Sequence, residues 1–376
     1  MRPTYDIVLF GMISRHPGKN RGGVSMSVRR LANALNAQGT RVAIVTSQAA
    51  CHDEWLEHVD PAVTVIAHRR LSRLRLSLAM ARFLAVHRPR SVVAFDQRAG
   101  LILRRTPRLP GTTPRLFWSP RVAVSARTAA AGDRARVRRV REIRAIHRDF
   151  DGIIAISHGL AEDLTAFAGI PADAITTIHN PVIDAAFSQA AARPCPKTPE
   201  IPPQRRLIVT TGRLTGQKDH ATLIAAFGRV QERVPSHLLI IGEGPERAAL
   251  EHRITEAGLA GHVSLPGHIT NPLPLMARAD VFALSSRWEG FGNVLAEALA
   301  LGRPVVATDC PFGPREILDH GRYGALTPVG DADAMADALL QTLAAPPAPA
   351  HQRTGSTRFD AEHIAARYRQ LMLART

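Results

Sequence analysis

The sequence predicts an α/β protein built from two domains. Its 376 residues exceed the size of one ordinary domain, and a hydrophobic content of 45% is enough for two cores. In both halves of the chain, short apolar runs with the length of buried strands alternate with segments of helical periodicity. Strands that alternate with helices form parallel sheets, because each helix brings the chain back to the same edge of the sheet.

In the first half, each segment of strand character is short, apolar and followed by a polar or glycine-containing turn. The predicted strands are 6–10, 41–46, 91–95, 114–118, 152–156 and 175–178, and the predicted helices are 22–37, 69–90, 127–148 and 159–168. Gly39 is a good stop for the first helix, and Ser157 is a good cap for the last. We therefore predict a first domain over residues 1–186.

Residues 187–205 contain five prolines and no hydrophobic periodicity, which predicts a linker. A second series of elements follows, and it predicts a domain over residues 206–357. Its strands are predicted at 207–211, 238–241, 263–268, 279–284 and 304–308, and its helices at 219–234 and 294–301; a last helix is predicted at 362–373.

The positive charge lies almost entirely in the first half. Residues 1–188 hold 28 Lys and Arg against 14 Asp and Glu, whereas residues 189–376 hold 20 against 18. This asymmetry predicts an anionic partner for the first domain: a membrane face, a lipid pyrophosphate or a nucleic acid.

Two helical segments carry much of this charge. We interpret the leucines of 69–90 as the apolar stripe of an ordinary surface helix, whose arginines can also contact anionic lipid headgroups. Segment 127–148 has eight arginines and a thin apolar stripe, so it is either a solvated helix or a dock for an anionic acceptor. The stripe residues are Leu71, Leu74, Leu78, Phe83 and Leu84 in the first segment and Val137, Val140, Ile143 and Ile146 in the second.

The sequence predicts no membrane-spanning helix and a reducing, cytoplasmic environment. It has no run of about 18 apolar residues, and its start leads into a strand without the pattern of a signal peptide. Cys51, Cys195 and Cys310 lie far apart and lack the spacing of metal ligands, so we expect no metal.

Residues 285–297 are the most informative stretch. They place Glu289 and Glu297 eight residues apart, around a glycine-rich turn and the start of a helix. The loop follows a strand at the carboxyl edge of a parallel sheet, where α/β proteins bind ligands. We expect the N–H groups of residues 292–295 to point free from the helix start, toward an anionic or hydroxylated ligand. A solvated acidic helix start is the alternative interpretation.

Arg213 and Lys218 lie in the loop after the first strand of the second domain, at the same predicted sheet edge. A leaving diphosphate gains charge as its bond breaks, and one arginine with one lysine neutralise that charge without a metal. Gly22 and Gly23, at a predicted helix start, let the backbone approach a ligand closely, and simple turn geometry is the alternative interpretation. Gly242 and Gly244 form a G-x-G pair at the end of a strand, which by itself is only a weak signal of nucleotide binding. Residues 265–268 are predicted to lie against a nucleotide base.

Taken together, these motifs resemble the retaining group-1 (family 4) glycosyltransferases over about residues 5–375. The resemblance rests on Gly22-Gly23, Gly212-Arg213 with Lys218, Gly242-Glu243-Gly244, and Glu289 with Glu297. It implies a GT-B architecture, in which two Rossmann-like domains face each other across a cleft. The acceptor would bind the first domain and the nucleotide-sugar the second, with the terminal helix, 358–376, packing back on the first.

The resemblance also implies residue roles. Arg213 and Lys218 would hold the diphosphate, Glu289 would face the donor sugar, and Glu297 would hold the ribose. The nucleotide-sugar would be a co-substrate, with UDP as the expected nucleotide. No cofactor is expected. The catalytic set is Arg213, Lys218 and Glu289, and the donor-binding set is Gly22, Gly23, Gly212, Gly242, Leu265, His268, Phe291, Gly292, Asn293, Val294, Leu295 and Glu297.

The chain departs from the family pattern at one place. Many members carry a histidine shortly after the strand that ends here at Trp118, where this chain has Ser119-Pro120-Arg121. Asp96, His16 or His158 are alternatives for the group that touches the donor sugar from the acceptor side.

We therefore expect a retaining hexosyltransferase at the cytoplasmic face of the membrane. It would move a hexose or N-acetylhexosamine from a UDP-sugar to a polyprenyl-diphosphate-linked or lipopolysaccharide-type glycan. Loop 309–317 resembles members that act in lipopolysaccharide, capsule or exopolysaccharide assembly. A nucleotide-sugar 2-epimerase of related fold is a second hypothesis. A nucleic-acid-binding protein is a third, although the basic helices lack interleaved aromatic residues.

Overall fold

The computed structural model describes residues 4–11, 23–46, 56, 58–68, 71–107, 113–128, 132–195 and 200–374. The chain forms two compact units, Met1–Asp184 with Phe359–Thr376, and Ala185–Arg358. Each unit is built on one parallel sheet whose strands alternate with helices. The predicted α/β class with two Rossmann-like domains is confirmed.

The first unit contains a seven-stranded sheet in the order β3-β2-β1-β4-β5-β6-β7, with every paired strand parallel. The direction of winding reverses between β1 and β4, and ligands of open α/β sheets bind at such a switch point. The strands are β1 (Ile7–Gly11), β2 (Val42–Thr46), β3 (Thr64–Ala67), β4 (Ser91–Ala94), β5 (Arg115–Trp118), β6 (Gly152–Ala155) and β7 (Ile175–Thr177).

Helices cover both faces of this sheet. On one face, α2, α3, α5 and α6 contribute to one apolar core, while α1 and the terminal helix α15 contribute to the core on the other face. The helices are α1 (Gly23–Ala37), α2 (Arg73–His87), α3 (Gln97–Arg104), α4 (Val124–Thr128), α5 (Gly132–Asp149) and α6 (His158–Ala168), with α15 at Ala361–Leu373.

The predicted apolar stripe in 69–90 is only partly correct, because Phe83 and Leu84 are buried in the core whereas two of its leucines are exposed. Leu74 and Leu78 point to solvent, and α2 packs on the sheet through Leu76, Met80 and Phe83. Both faces of this helix carry apolar residues, so the spacing of leucines alone does not identify the buried face. In α5 the predicted stripe is buried at Ile143 and Ile146, but Val137 is exposed.

The second unit contains a six-stranded sheet in the order β10-β9-β8-β11-β12-β13, again parallel throughout. Its switch point lies between β8 and β11, which are hydrogen-bonded neighbours. The strands are β8 (Arg206–Thr211), β9 (Ser236–Ile241), β10 (Val263–Gly267), β11 (Val281–Leu284), β12 (Val305–Thr308) and β13 (Ala325–Thr327).

Helices also separate the strands of the second unit. The segment predicted as a linker, 187–205, contains the helix α7 and falls within this unit. The helices are α7 (Phe187–Ala192), α8 (His220–Arg233), α9 (Arg247–Glu256), α10 (Leu273–Ala277), α11 (Asn293–Ala300), α12 (Pro314–Ile317), α13 (Ala332–Ala344) and α14 (Pro349–Ser356). Within the described ranges, no helix is both long and apolar enough to cross a membrane.

The terminal helix α15 belongs to the first unit. Asp360 caps it, accepting from the N–H groups of Glu362 and His363. Its buried face, which includes Ile364 and Tyr368, packs into the same core as α1. This packing ties the end of the chain to the first sheet.

We predict that Ile364→Ala lowers the free energy of unfolding of the first unit by about 2–5 kcal/mol, because the lost side chain leaves a cavity in a closed core. Urea unfolding followed by circular dichroism measures the effect. The matched control is Gln370→Ala on the exposed side of the same helix, which should change stability by less than about 0.5 kcal/mol. Equal effects of the two variants would contradict the packing of α15.

Candidate functional site

Two loops meet at the switch point of the second sheet. One joins β8 to α8 and the other joins β11 to α11, and both leave the carboxyl edge of neighbouring strands. Besides two ion pairs, three hydrogen bonds to backbone carbonyls connect them. Ser285 Oγ donates to the Lys218 carbonyl at 2.9 Å, the Arg287 N–H to the Gln217 carbonyl at 2.8 Å, and Gln217 Nε2 to the Trp288 carbonyl at 3.0 Å. The two loops therefore form one connected surface.

The centre of this surface is an ion pair between Lys218 and Glu289. Lys218 Nζ lies 2.5 Å from Glu289 Oε1, and the side chains are only 14% and 8% exposed. Ser286 is fully buried, and its hydroxyl donates to the same carboxylate oxygen at 2.7 Å. Because an isolated buried charge is costly, the ammonium, the carboxylate and the hydroxyl hold one another in place.

The loop after β12 supports Glu289 through the backbone. The Glu289 N–H donates to the Pro311 carbonyl at 2.7 Å, and the Phe312 N–H donates to the Glu289 carbonyl at 3.2 Å. A Cβ atom at Gly313, whose φ is +104°, would lie 1.8 Å from the Phe291 carbonyl oxygen. Only glycine permits this approach of the two loops.

A second ion pair joins the outer parts of the β8 and β11 loops. Arg287 Nε lies 3.0 Å from Asp219 Oδ2, and Thr222 Oγ1 donates to the same oxygen at 2.9 Å. Asp219 is buried whereas Arg287 is exposed. This pair balances its own charge, as the inner pair does.

Arg213 is the cation of these two loops that forms neither ion pair. It is exposed and contacts Gln217 Oε1 at 3.4 Å, and no carboxylate of the described residues pairs with it. The β8 loop therefore presents one positive charge that no described carboxylate neutralises, next to the half-buried Lys218. An anion such as a diphosphate would complement that charge.

The loop after β9 packs directly on the β8 loop. The Gly212 N–H donates to the Ile241 carbonyl at 2.9 Å, and the Leu214 N–H donates to the Glu243 carbonyl at 3.0 Å. A Cβ atom at Gly242, whose φ is +155°, would lie 1.8 Å from the Gly212 carbonyl oxygen. In the sequence Gly242 is half of a G-x-G pair, and in the structure the close approach of the neighbouring loop by itself requires glycine there.

Helix α11 begins beside Glu289. Gly292 precedes it in a left-handed conformation and supplies no side-chain cap. The N–H of Leu295 donates to the Gly292 carbonyl at 2.9 Å, so the expectation that it points free is wrong. Phe291 and Leu295 are buried, whereas Asn293, Val294 and Glu297 are half-buried on this first turn and a half.

The predicted base-binding strand lies two positions from β8. Arg247 Nη2 donates to the Leu265 carbonyl at 2.9 Å, so that backbone acceptor already has a partner in the protein. His268 follows β10 and is half-buried. Since β10, β9, β8 and β11 are consecutive, the loops from His268 to Glu289 extend over about 14 Å of sheet edge.

Comparison with known families agrees with this arrangement. A sequence model of "Glycosyl transferases group 1" matches residues 205–345, and one of "Glycosyltransferase Family 4" matches residues 21–185. Together they cover most of both units. The chain is a group-1 glycosyltransferase of the GT-B fold. Of the classes considered from the sequence, this family favours the transferase over the epimerase and the nucleic-acid-binding protein.

Individual relatives are similar over parts of the chain. An N-acetylgalactosaminyltransferase of Campylobacter jejuni, which acts on N-acetylgalactosamine-N,N'-diacetylbacillosaminyl-diphospho-undecaprenol, is 33% identical over 51% of this chain and 51% of its own length. The lipopolysaccharide core biosynthesis glycosyltransferase LpsE of Rhizobium meliloti is 34% identical over 39% of this chain and 42% of its own length. The glycosyltransferase thus spans about half or less of these curated relatives.

A solved structure matches over the whole chain. The structure of Anabaena Alr3699/HepE in complex with UDP and glucose has a TM-score of 0.76 and 20% sequence identity, covering 99% of this chain and 100% of the other. At this identity the similarity establishes the fold.

The glycosyltransferase's first unit contains the remaining predicted site residues. Gly23 is the first residue of α1 and follows the switch-point strand β1, and Asp96 caps α3 by accepting from the Ala99 N–H at 2.8 Å. His158 begins α6 and is exposed. Gly22 and His16 lie outside the described residues.

The residues that replace the family histidine have structural contacts. Ser119 is fully buried and its hydroxyl donates to the Ile154 carbonyl at 2.9 Å. The Arg121 guanidinium lies over the Phe95 ring, 4.4 Å from its centroid, and donates to Asn180 Oδ1. Burial lowers the pKa of Arg121, partly offset by Tyr368 of α15. Arg121 is thus a buried cation among neutral groups of the first unit.

Two titratable side chains lie behind the Lys218–Glu289 pair. Burial raises the pKa of the Cys310 thiol to about 12, and the charge of Glu289 acts in the same direction, so Cys310 stays protonated. Burial lowers the pKa of His220, the first residue of α8, to about 4, and Lys218 adds to the shift. His220 is therefore neutral at pH 7 and leaves the cation count of the loop unchanged.

Within the described part of the second unit taken alone, no three His, Cys, Asp or Glu side chains converge as a metal site. Metal-free transfer stays a prediction.

Sequence reasoning missed three contributors to this site. Ser286, Gln217 and Thr308 position Glu289 or the loops around it, and Thr308 Oγ1 donates to the Ser286 carbonyl at 2.6 Å. Only the position of Ser286, three residues before Glu289, gave a signal in the sequence. Gln217 lies in the β8 loop and Thr308 ends β12, and only the sheet order brings them close to Glu289.

We predict that His220 makes stability depend on pH. Its folded-state pKa is below its ordinary 6.5, so the unfolded chain binds more protons between pH 6.5 and 4. Stability therefore falls as the pH falls through this window, by about 2 kcal/mol from pH 7 to pH 5. Urea unfolding at both pH values should show this loss in the wild type and not in His220→Gln. The exposed His252→Gln should behave as the wild type.

Proposed function

We propose that this protein is a retaining glycosyltransferase that uses a UDP-sugar. It moves a hexose or N-acetylhexosamine to a lipid-linked glycan at the cytoplasmic face of the membrane. The acceptor class is a polyprenyl-diphosphate-linked or lipopolysaccharide-type glycan. No metal or other cofactor takes part in the proposed reaction.

The observation that carries the proposal is the combination of Arg213, Lys218 and Glu289 at the switch point of the second sheet. The unneutralised Arg213 and the adjacent Lys218 are suited to a diphosphate, and Glu289, one strand away, is suited to sugar hydroxyls. Glu297 on α11 is assigned to the ribose and residues 265–268 to the base. The known complex of HepE with UDP and glucose supports the same type of donor.

The proposed reaction needs little covalent chemistry from the protein. The acceptor hydroxyl oxygen forms a bond to the anomeric carbon on the face that the diphosphate leaves. The electron pair of the broken bond goes to the diphosphate oxygen, which also takes the hydroxyl proton. Arg213 and Lys218 stabilise the charge that develops on the diphosphate, and the fixed Lys218–Glu289–Ser286 contacts avoid reorganisation during the reaction.

The acceptor class is supported by the relatives and by charge. The similar Campylobacter jejuni protein acts on an undecaprenol-linked glycan and the Rhizobium meliloti protein acts in lipopolysaccharide core synthesis. The first half of the chain carries a net charge of +14, which suits an acceptor held by a diphosphate in an anionic bilayer.

We predict that Arg213→Gln weakens UDP binding about 10- to 100-fold, because one charge-assisted hydrogen bond to the diphosphate is worth about 1.5–3 kcal/mol. The side chain is exposed, so the fold should be retained. Isothermal titration with UDP measures the effect. The matched control is Arg233→Gln, an exposed arginine at the far end of α8, which should bind UDP as the wild type does.

The same protein can be used to test donor and reaction type. A rise in melting temperature with UDP-sugars and not with GDP- or ADP-sugars supports the proposed donor, since a bound ligand stabilises the folded state.

Glu289→Gln should abolish transfer to a lipid-linked acceptor, and nuclear magnetic resonance of the wild-type product should show a retained anomeric configuration. Turnover of UDP-N-acetylglucosamine with no acceptor, giving its 2-epimer, would instead indicate the epimerase. Full transfer by Glu289→Gln would overturn the role of that carboxylate.

A further inference from the structure

Helix α2 exposes an apolar surface that the fold does not use. Leu74, Leu78 and Val86 are 71%, 54% and 58% exposed. Six large hydrophobic residues are exposed among the described residues, and half of them lie on this one helix. Single exposed leucines are ordinary, whereas several on one helix face indicate an interaction surface.

The geometry of the helix brings these side chains together. At about 100° per residue, Leu74, Arg75, Leu78, Arg82 and Val86 fall within an arc of about 120°. All five are exposed, and the residues that α2 buries lie on the opposite side. We call these five residues the α2 outer face. It is a strip of three aliphatic and two cationic side chains.

The surroundings of the α2 outer face are strongly cationic. Helix α3 contacts both α2 and α5, and all three cover the same face of the first sheet. Together these helices carry twelve arginines and three acidic residues. On α5, the exposed Val137 lies between Arg136 and Arg138. Exposed aliphatic side chains beside arginines therefore occur on both α2 and α5.

We propose that the α2 outer face inserts into an anionic phospholipid bilayer, with the arginines of α2, α3 and α5 on the headgroups. An interfacial helix combines aliphatic side chains, which enter the acyl boundary, with arginines, which bind phosphate. A nucleic acid would complement the charge, but it would leave Leu74, Leu78 and Val86 without an apolar partner. The aliphatic residues therefore decide in favour of lipid.

This inference rests on the membrane location in the proposed function and names the surface responsible for it. It assigns α2 a role that is separate from donor binding, which is placed in the second unit. Leu74 and Leu78 belong to no catalytic or binding set, so their loss should leave the donor site intact.

The first experiment measures co-sedimentation of the purified full chain with vesicles. We expect binding to phosphatidylcholine–phosphatidylglycerol vesicles and little binding to phosphatidylcholine alone. Leu74→Ser with Leu78→Ser should weaken binding at least about tenfold. Arg75→Gln with Arg82→Gln should weaken it about fivefold per arginine, and added salt should reduce this difference. The matched controls are Val329→Ser and Arg253→Gln, both exposed in the second unit, which should bind as the wild type does.

A second experiment reports insertion directly. Leu78→Trp should show a blue shift in its added fluorescence and quenching by brominated lipid, whereas Val329→Trp should show neither. Thermal melting checks that each variant is folded. Wild-type binding by the leucine double variant, or an unquenched Leu78→Trp, would overturn the proposal. Two results together would indicate a nucleic-acid surface instead. Single-stranded RNA would release the wild type from vesicles, and the leucine double variant would keep full vesicle binding.

The UDP titration separates this inference from the proposed function. The leucine variants should keep wild-type UDP affinity while losing vesicle binding. If the wild type does not bind UDP, the proposed function is rejected, but the vesicle result still supports this inference. If the wild type binds UDP but the α2 outer-face variants bind vesicles as the wild type does, only this inference is rejected.

Discussion

The candidate site depends on one buried ion pair, that of Lys218 with Glu289. A charge pair of low exposure is stable only if its geometry is fixed and its remaining lone pairs are satisfied. Here the hydroxyl of Ser286 donates to the carboxylate, and the backbone of the β12 loop fixes the position of Glu289. Loops from three strands must therefore be in place together. The protein's own contacts hold this arrangement together, and Arg213, which no described carboxylate neutralises, lies at the surface.

The glycines of the second unit have the same physical role. Gly242 and Gly313 allow neighbouring loops to touch through their backbones, at distances that no side chain would permit. Close loop packing holds Lys218 and Glu289 on adjacent strands at hydrogen-bond distance. In the sequence the Gly242–Gly244 pair is only a weak signal of nucleotide binding, whereas the structure gives Gly242 a packing role. A glycine can be required by its neighbour in the fold as strictly as by a substrate.

The sequence predicted most strands correctly, but it did not predict which leucines of α2 are buried. The sequence predicted the strands of both sheets that are short, apolar and fully buried, including β8, β9 and β11. It missed the three-residue β13, and it missed β3 although residues 63–67 are mostly apolar, since β3 is partly exposed at one end of the sheet. On α2, leucines occur on both sides of the helix, and period alone cannot say which side meets the sheet.

By itself the sequence determined the α/β class and the alternation of strands and helices. It also identified Arg213, Lys218 and Glu289 as candidate catalytic residues. Each of these inferences depends only on local pattern and spacing. The tertiary structure alone decided that Lys218 and Glu289 are partners, since they are 71 residues apart and meet only because β8 and β11 are neighbours. It also decided which leucines of α2 are exposed. Pairing and exposure depend on the order of strands in the sheet, and that order follows from the packing of the whole unit.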